Sequence, residues 1–192
     1  MPTAQETYAM LGNESLWDVA QLCHAALTDA GVPYAIAGGV AVCLQGYQRN
    51  TVDLDVLIRR EDSDAVRSAL ESAGLQRSSQ NSEFVSSTGI PVQCLLAGDR
   101  AGLGSEVTLP NPGDSKAVSL IEGLPVLVLS KLIESKIACG LANMRRTHKD
   151  FADVVELIAI HSLSRAFARY LHPAVRESFR QLVLMARGEH EP

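Results

Sequence analysis

The alternation of apolar and polar positions predicts helices and strands along the first part of the chain. Apolar residues recur with helical spacing over residues 15–31, whereas residues 1–13 show no such period and are predicted to be irregular. A short apolar run at residues 32–39 predicts a buried strand that ends in two glycines. The compact apolar segment 40–46 then predicts a short helix.

The middle of the chain predicts a strand, a helix and a hairpin. Residues 52–58 alternate as a strand does, and residues 61–74 have the spacing of a helix that a glycine closes. Two further strands within residues 82–99 are predicted to be joined by a turn at residues 87–89. Residues 98–116 are rich in glycine, proline, asparagine and aspartate, which favour a loop.

The C-terminal part is predicted to be mainly helical. Residues 116–129 contain a short strand and a turn at Gly123. Helices are then predicted at residues 130–140, 147–161 and 173–187. We expect a loop with Arg145 and Arg146 between the first two of them. This order predicts an α+β fold, with a sheet domain at residues 1–125 and a helical part at residues 126–192 packed on it.

The composition is that of a folded globular protein. Hydrophobic residues make up 46% and charged residues 20%, and the net charge of −5 is mild enough for a local basic patch to bind a nucleotide or an RNA end. No apolar run approaches the roughly 18–20 residues that cross a bilayer, and the N-terminus lacks the pattern of a secretory signal. The four cysteines have no metal-ligand spacing and sit among apolar neighbours. We therefore expect buried, reduced thiols in a cytoplasmic protein with no zinc and no membrane partner.

Two carboxylates share one face of the predicted strand at residues 52–58. Asp53 and Asp55 lie about 7 Å apart on it, and their charges repel each other. The alternating residues on the predicted buried face are Val52, Leu54, Val56 and Ile58. A solvated edge strand tolerates such a pair, whereas a site for a hard cation such as Mg²⁺ or Mn²⁺ requires it. The pair therefore predicts a divalent-cation site, with a solvated strand face as the alternative.

Two glycines lie where the strand at residues 32–39 meets the following helix. Glycine lets the backbone approach a ligand closely, and the free N–H groups at the start of a helix suit phosphate. Gly38 and Gly39 therefore predict a phosphate-binding turn, with a plain tight turn as the alternative.

The segment GGVAVCLQGYQRNTVDLDVLI, residues 38–58, resembles the signature of the nucleotidyltransferase superfamily with the polymerase-β-like fold. The shared parts are, in order, a Gly-Gly turn, a spacer, Arg-x-Thr and Asp-hydrophobic-Asp. The resemblance implies a small mixed sheet flanked by helices and a site for Mg²⁺ or Mn²⁺ with a nucleoside triphosphate such as ATP. It implies nucleotide binding by Gly38, Gly39, Arg49 and Thr51, and metal binding and catalysis by Asp53 and Asp55.

A second segment, LIESKIACGLANMRRTHKDFADVVELI at residues 132–158, looks like the helical region of minimal nucleotidyltransferases related to AbiEii-type abortive-infection toxins. By similarity, Lys136 faces the nucleotide phosphates, and Asp150 is the polar active-site member of a motif that also covers Lys149 and Asp153. The resemblance also implies a toxin–antitoxin or phage-defence setting with a cognate antitoxin-like partner.

These helical residues also have explanations that need no nucleotide. A solvated helix position explains Lys136, and an ordinary basic loop explains Arg145 and Arg146. The spacing of Thr147 and Asp150 is that of a capping box, which would place both at the start of a helix.

The third carboxylate of the superfamily is missing from its expected strand. Where relatives carry an acid between hydrophobic residues, the strand GIPVQCLLAG presents Gln93. Glutamine offers a carbonyl oxygen but no charge, and it cannot accept a proton at neutral pH. Glu83, on the paired strand, and Asp99, just after the strand, are the candidate substitutes.

Three functional hypotheses follow from these residues. The leading one is a nucleotidyltransferase that transfers a nucleoside monophosphate to an acceptor hydroxyl or phosphate on a protein, a transfer RNA or a small molecule. The second is a catalytically impaired nucleotide- or partner-binding module on the same fold, because of Gln93. The third is an interaction protein with no nucleotide site, in which Asp53 and Asp55 are surface residues.

Overall fold

A seven-stranded mixed sheet lies at the centre of the computed structural model, which describes residues 3–10, 13–78 and 83–188. In chain order the strands are β1 (Tyr34–Ala37), β2 (Leu54–Ile58), β3 (Gln76–Arg77), β4 (Glu83–Val85), β5 (Pro91–Leu96), β6 (Val118–Ile121) and β7 (Leu124–Leu127). Their order across the sheet is β3-β4-β5-β2-β1-β7-β6. Buried apolar side chains of strands and helices form one continuous core around it.

Helices pack around this sheet. They are α1 (Ala4–Met10), α2 (Glu14–Asp29), α3 (Gly38–Leu44), α4 (Ser63–Ser72), α5 (Leu129–Ala142), α6 (Met144–Ile160) and α7 (Arg176–Arg187). All six predicted helices are present, and Pro173 opens a short 3₁₀ turn, Pro173–Val175, immediately before α7. None of the helices in the described ranges is long and apolar enough to cross a membrane.

The N-terminal segment departs from the sequence prediction. Residues 4–10 form a helix rather than irregular chain, and Ala4 and Tyr8 are buried in the core. A helix this short has little intrinsic stability and is stabilised by tertiary packing, which a periodicity argument does not detect.

Strand β2 lies in the interior of the sheet, where Asp55 lies between residues of the two neighbouring strands. It pairs antiparallel with β1, where Ala37 is opposite Asp55, and parallel with β5, where Gln93 is opposite Asp55. An edge strand is therefore excluded for β2. Val52 precedes the strand and is 72% exposed, so the prediction that it is buried is wrong.

The predicted short strand at residues 116–129 is a hairpin of two strands. β6 and β7 pair antiparallel around a turn at Gly123, and β7 also pairs parallel with β1. The sheet thus continues through residue 125, where the sequence predicts a domain boundary. The division into residues 1–125 and 126–192 stays a prediction.

The predicted basic loop is the first turn of α6. Asn143 alone separates α5 from α6, and its side-chain oxygen accepts a hydrogen bond from the backbone N–H of Arg145. Thr147 instead donates to the carbonyl oxygens of Gly140 and Asn143, so the predicted capping box is wrong. Gly140 lies within α5, where a Cβ would meet the Phe151 ring at 2.6 Å, so this glycine permits the close packing of the two helices.

All four cysteines are unpaired thiols. Cys23 and Cys43 are buried as expected, whereas Cys94 and Cys139 are half-buried. Cys139 reaches a cleft described below, which explains its partial exposure.

Candidate functional site

The Gly-Gly turn is shaped by the side chains of the acidic motif. α3 begins at Gly38 directly after β1, and Gly38 has a positive φ of 57°. A Cβ at Gly38 would lie 1.7 Å from Asp55 Oδ2, and a Cβ at Gly39 would lie 2.5 Å from Thr51 Oγ1. Real side chains do not approach this closely, so both glycines make room for the neighbouring strand's polar groups. A plain tight turn does not account for this contact.

Asp53 is held in place by the loop that precedes β2. The buried hydroxyl of Thr51 donates a hydrogen bond of 2.8 Å to Asp53 Oδ1. Asn13 Nδ2 in turn donates to the Thr51 carbonyl oxygen at 2.7 Å and to Asn50 Oδ1 at 2.9 Å. Asn13, immediately before α2, therefore fixes the loop that carries Asp53, although no sequence pattern pointed to this residue.

Asp55 is a half-buried carboxylate with a perturbed pKa. Burial, and secondly the charge of Asp53, raise the pKa of Asp55 from 3.8 to about 6. The positive charges of Lys136, Arg146 and Lys149 oppose this shift in part. The charge of Asp53 thus disfavours the ionised form of Asp55, and a bound cation would relieve this repulsion.

A chain of ion pairs connects the Asp-x-Asp loop to the helices. Arg49 binds Asp153 through two hydrogen bonds of 2.6 and 2.8 Å. Lys136 Nζ lies 2.7 Å from Asp153 and 3.0 Å from Asp150, and Arg146 Nε lies 3.1 Å from Asp150. Lys136, Asp150 and Asp153 are all buried. Charges this far from water are tolerated because each has a partner of opposite sign.

The chain of ion pairs decides between explanations that the sequence left open for Lys136 and Arg49. Lys136 is not a solvated helix lysine, because it lies between two buried carboxylates. The guanidinium of Arg49 is occupied by Asp153, so its direct contact in this structure is to α6. Nucleotide binding by Arg49 and Thr51 stays a prediction.

A cleft of about 170 Å³ opens beside Asp55. Of the predicted site residues, those that line it are Gly38, Asp55, Gln93, Lys136 and Asp150. Those outside its lining are Gly39, Arg49, Thr51 and Asp53. The structure therefore brings together residues that are as far apart in sequence as positions 38 and 150.

Eight of the described residues that line the cleft were not among the predicted site residues. Four of them have polar or charged side chains, namely Arg100, Ser135, Cys139 and Arg146, and four are apolar, namely Ala37, Leu95, Ala101 and Leu109. The i,i+4 spacing of Arg146 and Asp150 on a helix was a usable signal for Arg146. No sequence pattern pointed to Arg100, because it lies in the segment 98–116, which is predicted only to be a loop.

Comparison with known proteins agrees with this arrangement. Residues 19–154 of the 192 match the family described as aminoglycoside-2''-adenylyltransferase. The chain belongs to this adenylyltransferase family. No sequence of a curated protein matches it significantly.

Solved structures show that this family member has a nucleotidyltransferase fold. A candidate nucleotidyltransferase from Helicobacter pylori superposes with a TM-score of 0.54 at 15% identity, over 90% of this chain and 92% of its own. One from Thermotoga maritima gives a TM-score of 0.53 at 18% identity, over 71% of this chain and 92% of its own. The predicted α+β nucleotidyltransferase fold is confirmed, and at these identities the likeness is one of fold alone.

In this member of the adenylyltransferase family, Gln93 is the residue opposite Asp55 on the neighbouring strand β5. Its exposed amide lines the cleft. Asp99 does not replace the missing acid in this structure, because it pairs with Arg60 at 2.5 Å and does not line the cleft. Glu83 is the register partner of Gln93, and its side chain lies outside the described part of the structure.

The donors at this site suit a hard divalent cation. Asp53 and Asp55 supply carboxylate oxygens, and Asp55 is destabilised as a free anion. Among the described residues no group of three or more His, Cys, Asp or Glu side chains forms a metal site. A cation here would therefore depend on the aspartate pair together with oxygen atoms of a bound substrate or water.

Proposed function

We propose that this protein binds a nucleoside triphosphate together with Mg²⁺ or Mn²⁺ and transfers the nucleoside monophosphate to an acceptor hydroxyl or phosphate. The observation that carries the proposal is the close contact of Gly38 with Asp55 in a cleft that also contains Lys136. Membership of an adenylyltransferase family supports the same reaction class.

In the proposed reaction the acceptor oxygen bonds to the α-phosphorus as the bond from that phosphorus to the pyrophosphate oxygen breaks. Asp53 and Asp55 would hold the cation, which would neutralise phosphate charge. Thr51 orients Asp53, and the ion pairs with Asp150 orient Lys136 and Arg146 toward the cleft. Gln93 can accept a hydrogen bond from an acceptor hydroxyl but cannot take its proton, which would pass to solvent water as the bond to phosphorus forms.

A labelling experiment tests this proposal. The protein, Mg²⁺ and NTPs labelled at the α-phosphate are incubated with cell extract, and transfer of label to an acceptor is measured. We expect labelling by the wild type and its loss in Asp53→Asn. Asp64→Asn is the matched control, because Asp64 is a highly exposed carboxylate on α4 that is remote from the site. Equal labelling by Asp53→Asn would remove the aspartate pair from the mechanism.

The neutral side chain at position 93 favours a second candidate, a module that binds nucleotide without turnover. Gln93 is opposite Asp55 on β5, Asp150 is the other carboxylate among the described residues that line the cleft, and Asp99 is paired with Arg60. Gln93→Asp distinguishes the two candidates. Activity created by this substitution in an inactive wild type would identify a decayed enzyme, whereas turnover by the wild type would eliminate the second candidate.

The finer parts of the proposal concern the acceptor and the cellular setting. The name of the family suggests an aminoglycoside acceptor, and proteins and transfer RNA remain the other proposed classes. A cytoplasmic toxin–antitoxin or phage-defence role, with a cognate partner, is supported by the resemblance of residues 132–158 alone. Growth arrest on expression, relieved by Asp53→Asn, would support that setting.

A further inference from the structure

The positive charges that line the cleft differ in whether a carboxylate already neutralises them. Lys136 Nζ lies 3.0 Å from Asp150 and 2.7 Å from Asp153, and Arg146 Nε lies 3.1 Å from Asp150. Arg100 also lines the cleft, and among the described residues no carboxylate forms a salt bridge with it. Of the described lining cations, Arg100 is therefore the one whose charge is not already paired.

The guanidinium of Arg100 is oriented by a contact with the main chain. Its Nη1 donates a hydrogen bond of 2.6 Å to the carbonyl oxygen of Ser105. A guanidinium carries several N–H groups in one fixed plane, and those that Ser105 does not use suit the oxygens of a phosphate. Because Arg100 is exposed and lines the cleft, a ligand in the cleft can reach these groups.

The segment that carries Arg100 packs on α5 close to Lys136. The Cys139 thiol donates a hydrogen bond to the carbonyl oxygen of Ala101. A Cβ on Gly102 would come within 2.6 Å of a backbone oxygen of α5, so the segment lies directly against this helix. Cys139 is about one helical turn from Lys136 and lines the same cleft. Arg100 and Lys136 therefore belong to adjoining parts of the wall of one cavity.

A nucleoside triphosphate brings more negative charge than the ion pairs beside the cleft can balance. In the proposed function the charge of the divalent cation is largely offset by Asp53 and Asp55, which hold it. The chain of ion pairs contains three positive and two negative side chains, those of Arg49, Lys136, Arg146, Asp150 and Asp153. Its net charge of +1 is doubled by Arg100, so this arginine supplies much of the positive charge that is left for the phosphates.

We propose that Arg100 binds the β- and γ-phosphates of the nucleotide and stabilises them as they leave as pyrophosphate. This inference rests on the proposed function and adds a residue to its nucleotide site. Most of the negative charge of a triphosphate lies on these two phosphates, whereas the α-phosphate lies next to the cation at Asp53 and Asp55. When the bond from the α-phosphorus breaks, its electron pair stays on the pyrophosphate oxygen. An unpaired guanidinium stabilises the charge that develops there.

Calorimetry on the full chain separates this inference from the proposed function. Binding of the non-hydrolysable analogue α,β-methylene-ATP with Mg²⁺ is measured first, and its absence would overturn the proposed function itself. Inorganic pyrophosphate and AMP, each with Mg²⁺, are then measured by displacement of the analogue. We expect the wild type to bind pyrophosphate in competition with the analogue, and to bind the analogue more tightly than AMP, because only the analogue carries the phosphates that Arg100 contacts.

Variants at position 100 make the test specific. Arg100→Ala should lose about tenfold or more in affinity for the analogue and for pyrophosphate, and should bind AMP as the wild type does. Arg100→Lys should lose less, because it keeps the charge but not the planar set of donors. Arg180→Ala removes a partly exposed arginine on α7 and should leave all three affinities unchanged. The inference is wrong if Arg100→Ala binds the analogue and pyrophosphate as tightly as the wild type, or if its affinity for AMP falls equally.

Discussion

Gly38 and Asp55 constrain each other more tightly than any other predicted pair in the site. A Cβ at Gly38 would overlap the Asp55 carboxylate and would also need a left-handed backbone conformation. Gly38→Ala should therefore destabilise the fold by more than the roughly 1–2 kcal/mol expected for that backbone conformation alone. It should also displace Asp55 and abolish binding of Mn²⁺ with an ATP analogue. Urea denaturation and calorimetry measure the two effects.

Gly31→Ala is the matched control for Gly38→Ala. Gly31 has a similar φ of 65°, and a Cβ there would meet nothing within 4 Å. It should therefore lose about 1–2 kcal/mol through backbone strain and retain nucleotide binding. Equal destabilisation by the two substitutions would mean that the contact with Asp55 has no energetic consequence.

The raised pKa of Asp55 predicts a pH-dependent stability. Because the pKa rises from 3.8 in the unfolded reference to about 6, the folded state binds this proton more tightly. The stability that Asp55 confers is present below pH 4 and is lost as pH rises to about 6. Asp55→Asn should therefore be about 1–3 kcal/mol more stable than the wild type at pH 7 without metal.

Urea denaturation in EDTA at pH 4, 5 and 7 measures this difference. The gap between Asp55→Asn and the wild type should be small at pH 4 and should widen toward pH 7, since only the wild type ionises at position 55. A gap that does not change with pH would show that the carboxylate is not destabilised by burial and by Asp53.

At the scale of elements, the ion-pair chain joins the loop before β2 to α5 and α6. Asp153 connects the loop to the helices, because it binds both Arg49 and Lys136 while buried. Asp153→Ala should cost about 3–5 kcal/mol, the usual consequence of leaving a buried charge without its partner. It should also weaken nucleotide binding, because the Arg49 loop loses its contact with α6.

Thermal denaturation and calorimetry check the Asp153 prediction. Glu177→Ala is the control, since it breaks the exposed pair with Arg180 on α7 and should change stability by less than about 1 kcal/mol. A small effect of Asp153→Ala would mean that the chain of ion pairs does not couple these elements.

The elements themselves were only partly predictable. The helices at α2 and α4 and the β4–β5 hairpin follow from strong local periodicity and turn residues. α1 was missed because its seven residues are too few for a helical repeat of apolar positions to be recognised. The start of α6 was misplaced because Asn143, not Thr147, caps it, and the choice between two capping residues depends on how closely α5 approaches.

At the scale of the whole molecule, the site is assembled from β1, α3, β2, β5, the loop after β5, α5 and α6, so it exists only in the folded chain. A ligand at 100 times its Kd should therefore stabilise the protein by about 2.7 kcal/mol. For a chain of this length that corresponds to a rise of about 5–10 °C in Tm.

Differential scanning fluorimetry with Mn²⁺ and a non-hydrolysable ATP analogue measures this rise. Asp53→Asn, or EDTA with the wild type, should remove most of it. An unchanged rise in Asp53→Asn would place the ligand away from the aspartate pair.

The sequence by itself determined the local chemistry of this protein. The Gly-Gly turn, the Asp-x-Asp pair and the loss of the third acid at Gln93 could be identified because they lie within short segments whose residue types limit the backbone and the charge. Tertiary structure alone decided that Lys136 is buried between Asp150 and Asp153, and that Arg100 reaches the cleft. Those outcomes depend on which segments, distant in sequence, lie next to each other in the folded protein. Whether a charged side chain is buried and paired depends on these neighbours and not on its residue type alone.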